Sequence, residues 1–518
     1  MHLRLLICFA VAVLPLTSAI TQPVRTDKGL VSGVPGSDPD VIAFKGIPFA
    51  APPVGDLRWR APEFAVAWQG VKNAEGFSSS CVQKISQEHK PWTYEFLAHN
   101  EVSEDCLYLN VWTSAKAANE KRAVFVWIYG GGYTEGSTAA PLYDGEKLAS
   151  CGVVVVTLNY RLGVFGFLAH PDLTRESRHK SSGNYGTLDQ IAALEWVHKN
   201  IAAFGGDPER VTLGGQSAGA ASVHNLTASA LAKGLFQRAI VESGSNVASA
   251  ATGSRPVNLS EAEEQGAKFA VSKDSHSIKE LRAKPWQDLL PNAANGPSFA
   301  FRPIIDGWVL TAPVNEVFAA GRQNDVPTLT GWTADEASSQ ADYGKVPAEQ
   351  WRERMRKRFG DRTDAFLQLY PAATDAQASA SQKASAREQN LVSMYLWAAD
   401  RARTGKTKVF TYYWTHALPG PDSARYGAFH SSEVPYVFES LSKADRPWTA
   451  QDHEIAKTLG SYWVNFINTG DPNGKGLAHW PAFNSQKPVT MELGDTFAQR
   501  PIAEKAAIEF FQQYLNAH

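Results

Sequence analysis

The sequence predicts an α/β fold with a large, mostly parallel central sheet flanked by helices. Two runs, "AVFVWIYG" and "GVVVVTLNYR", are short, β-branched or aromatic and bounded by glycine. That pattern belongs to strands buried on both faces, as in a parallel sheet. Between them and a later strand-like run lies "LDQIAALEWVHKNIAAFGG". There Leu188, Ile191, Leu194, Val197 and Ile201 recur at helical spacing and glycines close the end. Strands alternating with helices define this fold class.

Taken in order, the chain opens with "MHLRLLICFAVAVLPLTSA": an early basic residue, an apolar run, a proline and small residues ending at Ala19. This is the order of a secretory signal peptide, and it predicts cleavage after residues 1–19 and a secreted or periplasmic product. The apolar run is too short to span a bilayer comfortably, so no stable membrane anchor is expected. After the first two strands and the helix, "RVTLGG" reads as another strand, followed by small residues able to open a helix. "FQRAIVESGS", "VPTLTGWTADE" and "KVFTYYWTH" repeat the strand-then-loop pattern, while "PAEQWRERMRKRFG", "DHEIAKTLGSYWVNFINTG" and "IAEKAAIEFFQQYL" are amphipathic helices. The stretch "PAATDAQASASQKASAREQ" has few large apolar residues and predicts a mobile, partly helical surface segment. No repeat and no linker divides the chain, so residues 20–518 are expected to form one domain.

At 518 residues and 44% hydrophobic, the chain can bury a large core, and its net charge of −2 offers no basic footprint for nucleic acid. Of four cysteines, Cys8 lies in the leader. Cys81, Cys106 and Cys151 remain, so one must stay unpaired. Closing the loop between Cys81 and Cys106 would stabilise the fold by about 3 kcal/mol. Cys151 directly precedes a buried-strand run and is expected to pack as a small core hydrophobe.

The chemistry centres on "TLGGQSAGAAS", which sets Ser217 in a G-x-S-x-G spacing. A serine hydroxyl is a weak nucleophile until a base takes its proton. The flanking glycines permit a sharp strand-to-helix turn that exposes it, and the following helix N-terminus presents N–H groups to a developing oxyanion. Five residues alone are weak evidence, but a strand before and a helix after are both present. "WIYGGGYTEGS" adds Gly130-Gly131-Gly132 at a strand end, where backbone N–H groups can stabilise an oxyanion. A phosphate cradle is the poorer reading, because no G-K-[ST] follows.

Longer motifs carry a family resemblance. "FKGIPFAAPPVGDLRWRAP", "SEDCLYLNVW", "NYRLGVFGFL" and "GNYGTLDQIAALEWVHKNIAAFGGDPERVT" occur in that order. Together with the glycine elements they resemble the type-B carboxylesterases, which include the cholinesterases, over nearly all of the chain after the leader. The resemblance implies an α/β-hydrolase fold, serine-dependent hydrolysis of a small-molecule ester, and no metal or organic cofactor. It implies Ser217 as nucleophile, Glu336 in "LTGWTADEASS" as the acid in preference to Asp335, and His430 in "YGAFHSSEVPYVF" as the base. Gly131, Gly132 and Ala218 are the implied oxyanion donors, and Cys81 with Cys106 the implied disulfide. Arg58 with Glu104, and Arg161 with Asp189, match the family's scaffold salt bridges.

Spacing independently disfavours the other histidines. His224 follows Ser217 by two helical turns, roughly 10 Å along the axis and outside hydrogen-bond reach. His198 has no glycine turn to present it. The order Ser, Glu, His is that of α/β-hydrolases.

Two departures matter. The family usually carries glutamate before the nucleophile, where this chain has Gln216; its juvenile hormone esterases carry glutamine as well. The choline-binding tryptophan of cholinesterases has no match, since Trp92 lies four positions too early and Phe96 occupies its place. Neutral carboxylic esters are therefore the expected substrates. Tyr129, Tyr133, Trp332 and Phe429 flank the motifs and could line the pocket or pack in the core. An amidase or peptidase using the same residues, and a non-catalytic neuroligin-like adhesion protein, are the rival readings.

Overall fold

The computed structural model describes residues 19–244, 256–290 and 299–515. The expected leader, Ala19 apart, lies outside them. The main sheet has eleven strands: β1 Val34–Pro35, β2 Ile42–Pro48, β3 Tyr108–Thr113, β4 Arg122–Ile128, β5 Val154–Leu158, β6 Gly206–Gln216, β7 Arg238–Glu242, β8 Thr328–Thr333, β9 Val409–Trp414, β10 Val489–Leu493 and β11 Ala498–Pro501. Their spatial order is β11-β10-β9-β8-β7-β6-β4-β5-β3-β2-β1. From β5 to β10 every neighbouring pair is parallel, and the strands outside that block pair antiparallel. Every residue of β5, β8 and β9 is buried, which is why their sequences show no alternation.

Four helices frame the core and the site: α1 Tyr185–Asn200, α2 Ala218–Ala228, α3 Asp375–Thr404 and α4 Ala450–Thr469. In α1 and the turn that ends it, the five predicted positions are all buried. The mixed sheet covered by helices is the α/β architecture read from the sequence.

Two expectations need amending. The segment expected to be only partly helical is, from Asp375, the first half of α3, a continuous helix capped by Thr374, whose hydroxyl accepts from Gln377 N–H. Ala378, Ser381, Ser385 and Gln389 form its buried stripe, and Ala378 joins a second core with Trp351, Phe359, Phe366 and Phe511. Small residues suit close helix packing, yet they leave almost no hydropathy signal. Cys151 is not a core thiol. It is free and exposed at the end of the short helix Glu146–Ser150, and burial begins only at Val153.

Cys81 and Cys106 are joined, closing a loop across a short two-stranded ribbon of Ser80–Cys81 and Val102–Ser103. Arg58 grips Glu104 at the end of that loop through two bonds, 2.6 and 2.5 Å, and spends a third nitrogen on the carbonyls of Leu281 and Lys284. Arg161 and the fully buried Asp189 pair through two bonds of 2.8 and 2.7 Å, with the Arg161 backbone N–H as a further donor.

Candidate active site

Ser217 sits at the turn from β6 into α2 with φ 58° and ψ −122°, a conformation costly for a residue with a Cβ. The two glycines of the motif are what allow it. A Cβ on Gly219 would lie 2.0 Å from the Ile128 carbonyl oxygen, and one on Gly215 would lie 2.6 Å from Gly219 backbone. Only glycine lets α2 start this close to the end of β4. Ser217 N–H donates to Glu242 O at 2.9 Å, which fixes the elbow to β7.

Glu336 lies just past β8. One of its oxygens accepts from Ser243 Oγ at 2.6 Å and from Thr333 N–H at 2.9 Å, and the other bonds His430 Nδ1. Burial raises a carboxyl pKa, but the His430 charge and hydrogen bond, with the Ser243 and Thr333 donors, hold Glu336 below its ordinary value. For His430 the signs reverse: burial lowers it, while Glu336 and the charge of Glu433 prevail and raise it. Asp335 faces elsewhere, accepting from Tyr343, Arg387 and Ala428 N–H, and its own N–H donates to Ala428 O. Those bonds pin the loop that carries His430. The acidic dipeptide thus divides into one residue toward the histidine and one that braces its loop.

Ser217 and His430 line one cavity of about 300 Å³, together with Gly130, Gly131 and Gly132. His430 Nε2 meets the amide of Gln216, Nε2 to Nε2 at 3.1 Å, in place of the Ser217 hydroxyl. With Nδ1–H given to Glu336, the neutral ring accepts from that amide. Gly131 and Gly132 have φ of 102° and 63°. Among the described residues, nothing accepts a hydrogen bond from the backbone N–H of Gly131, Gly132 or Ala218.

His224 is buried against Phe318 and Trp397, and burial with the nearby Arg401 charge lowers its pKa to about 3. It remains neutral and away from the cavity. Tyr129, Tyr133, Trp332 and Phe429 are all core residues: Tyr129 stacks on Tyr160, Tyr133 packs on Phe167, and Phe429 sits behind the wall. The wall itself carries Trp92 and Phe96, both in contact with Phe429, so the displaced tryptophan does reach the cavity. Gln83, Ser86, His89, Glu135, Leu142 and Tyr143 complete much of the lining. Glu135 lies inside the quoted glycine stretch without a role assigned there, and no motif marked the others; they reach the cavity because the disulfide loop and the glycine turn fold over it.

The sheet order, the elbow after β6 and the placement of Glu336 and His430 after β8 and β9 define an α/β-hydrolase. The chain belongs to the carboxylesterase family, whose model matches residues 21–511. It is 37% identical to a fumonisin B1 esterase of Sphingopyxis macrogoltabida, over 89% of this chain and 84% of that protein. Identity is 33% to a para-nitrobenzyl esterase of Bacillus subtilis, over 93% and 97%. It is 32% to an acetylcholinesterase of Bungarus fasciatus, over 99% and 90%. The chain is a carboxylic ester hydrolase.

Proposed function

We propose that the protein hydrolyses neutral carboxylic esters through an acyl-enzyme on Ser217, with His430 as base and Glu336 as its orienting partner. One observation carries the reading: the strained serine shares a cavity with a histidine whose far nitrogen is bonded to a largely buried carboxylate. His430 takes the Ser217 proton as the hydroxyl attacks the ester carbonyl, and Glu336 stabilises the imidazolium. The open N–H groups of Gly131, Gly132 and Ala218 receive the oxyanion. The alcohol leaves with the proton from His430, and water then attacks the acyl-enzyme under the same base. His430 must exchange its Gln216 contact for Ser217 as substrate arrives, a tightening common to such sites.

Residues 20–518 are read as one domain, and export is supported by the leader pattern and by a disulfide that an oxidising compartment would preserve. The test is covalent labelling with a fluorophosphonate, located by peptide mass spectrometry. Label is expected on Ser217, and Ser217→Ala should lose both label and p-nitrophenyl acetate turnover, about 10³-fold or more. Label on another residue, or retained turnover in that variant, refutes the mechanism.

A further inference from the structure

Glu135 lies on the wall of the same cavity, in the turn that contains the proposed oxyanion donors. Its N–H donates to Gly131 O at 3.1 Å, folding the turn back on itself. A Cβ built on Gly131 would come within 3.1 Å of Glu135 Cγ, so the acidic side chain passes beside that glycine. The carboxylate accepts from Ser86 Oγ, which belongs to the disulfide-closed loop. That loop is clamped to the turn one residue further on. Gln83 Nε2 donates to Gly136 O and Gly136 N–H donates to Gln83 Oε1, each at 2.8 Å.

The carboxylate is therefore tied to the disulfide-closed loop through Ser86, on a turn that the Gln83 clamp fixes to the same loop. The basic side chains in the cavity lining are the imidazoles of His89 and His430. Among the described residues no Lys or Arg lines the cavity, and Glu135 has no ion-pair partner. The neighbouring wall is largely aromatic, with Trp92, Phe96 and Tyr143. A fixed, uncompensated charge in a narrow cleft acts on every charged group that enters.

We infer that Glu135 is a specificity-determining residue that sets the charge of the esters this site accepts. Substrates bearing a carboxylate are rejected; neutral ones are admitted, and an ammonium group is favoured by the carboxylate and the aromatic faces together. The inference rests on the proposed esterase site and names the substrate class it selects.

The test uses acetate esters of benzyl alcohol carrying 4-methyl, 4-carboxylate or 4-aminomethyl groups, with acetate release followed by titration. Wild type should favour the methyl and aminomethyl esters over the carboxylate ester by about tenfold in kcat/KM. The preference should narrow as salt is added. Glu135→Gln should raise the carboxylate ester about tenfold relative to the methyl ester and erase any advantage of the aminomethyl one. Glu135→Asp should keep part of the discrimination. Ratios within one variant cancel changes in folded fraction or in the efficiency of the serine. Unchanged ratios in Glu135→Gln overturn the inference while the esterase reading stands. Failure of wild type to hydrolyse the methyl ester overturns the esterase reading and this inference with it.

Discussion

Replacing Gln216 by glutamate tests the electrostatics of the site most directly. Gln216 is 3% exposed and its amide stands 3.1 Å from His430 Nε2. Neutral His430 accepts from that amide, whereas a carboxylate can only accept, so Gln216→Glu removes a partner of the neutral ring and supplies one to the imidazolium. A unit charge about 5 Å from the ring centre, at an effective dielectric of about 20, is worth about 3 kcal/mol. That caps the change at about two pKa units, and burial of the introduced carboxylate offsets part of it, leaving a rise of about one unit. His430 works as a base only when neutral, so a raised pKa moves the acid limb of kcat/KM to higher pH. On that limb the rate at fixed pH should fall about tenfold, with recovery above it. The assay is kcat/KM for a neutral p-nitrophenyl ester from about pH 5 to 9, with Gln216→Met as the uncharged control. An acid limb that stays in place in Gln216→Glu, or moves equally in Gln216→Met, refutes the reasoning.

Two further expectations concern the scaffold. Removing the disulfide with Cys81→Ser and Cys106→Ser, which releases a closure between residues 25 apart, should cost about 3 kcal/mol in urea unfolding. It should also lower kcat, because the clamp of Gln83 on Gly136 loosens with the loop. Arg161→Met leaves Asp189 charged in the core and should cost about 3–5 kcal/mol, much of it recovered by adding Asp189→Leu. Recovery absent from the double variant would show that the arginine contributes through packing instead.

What the sequence displayed depended on how loudly each residue speaks. Strands such as Val154–Leu158 and the helix Tyr185–Asn200 were legible because large apolar side chains form a continuous run in the one and repeat at a helical period in the other. The first half of α3 showed only as partly helical, since its buried stripe is built mainly from alanine and serine. Cys151 misled because burial changes within two residues at the start of a strand. At the site, Ser217 announces itself through glycines that only a tight elbow requires. Glu336 and His430 were placed by resemblance, because nothing local tells Asp335 from Glu336; the hydrogen bonds of the folded loops do that. The pairing of Ser86 with Glu135 carried no signal, even though Glu135 lies in the glycine stretch, as their meeting depends on a loop closed by a distant cysteine.

The distribution of charge beneath the histidine explains why a neutral residue at 216 suits this site. Two carboxyls act on it, the buried Glu433 and Glu336, whose side chain is 11% exposed, and the buried Glu242 acts in turn on Glu433. Glu336 is held below the ordinary carboxyl value by its donors Ser243, Thr333 and His430. Glu242 is pushed up to about 8 by burial, which outweighs a bond of 2.9 Å from Trp463 Nε1. Glu433 is raised well above the ordinary carboxyl value by burial and by the charges of Glu242 and Glu336. Of the three, Glu336 alone bonds the ring, so the carboxylate in direct contact with His430 sits at Nδ1. That charge aligns the imidazole and supports its positive form where it cannot obstruct proton transfer. A second ionised carboxylate at Nε2 would hold the proton on the very atom that has to accept it from Ser217. The amide of Gln216 fills that position without adding charge, which leaves His430 basic enough to work and free to let go.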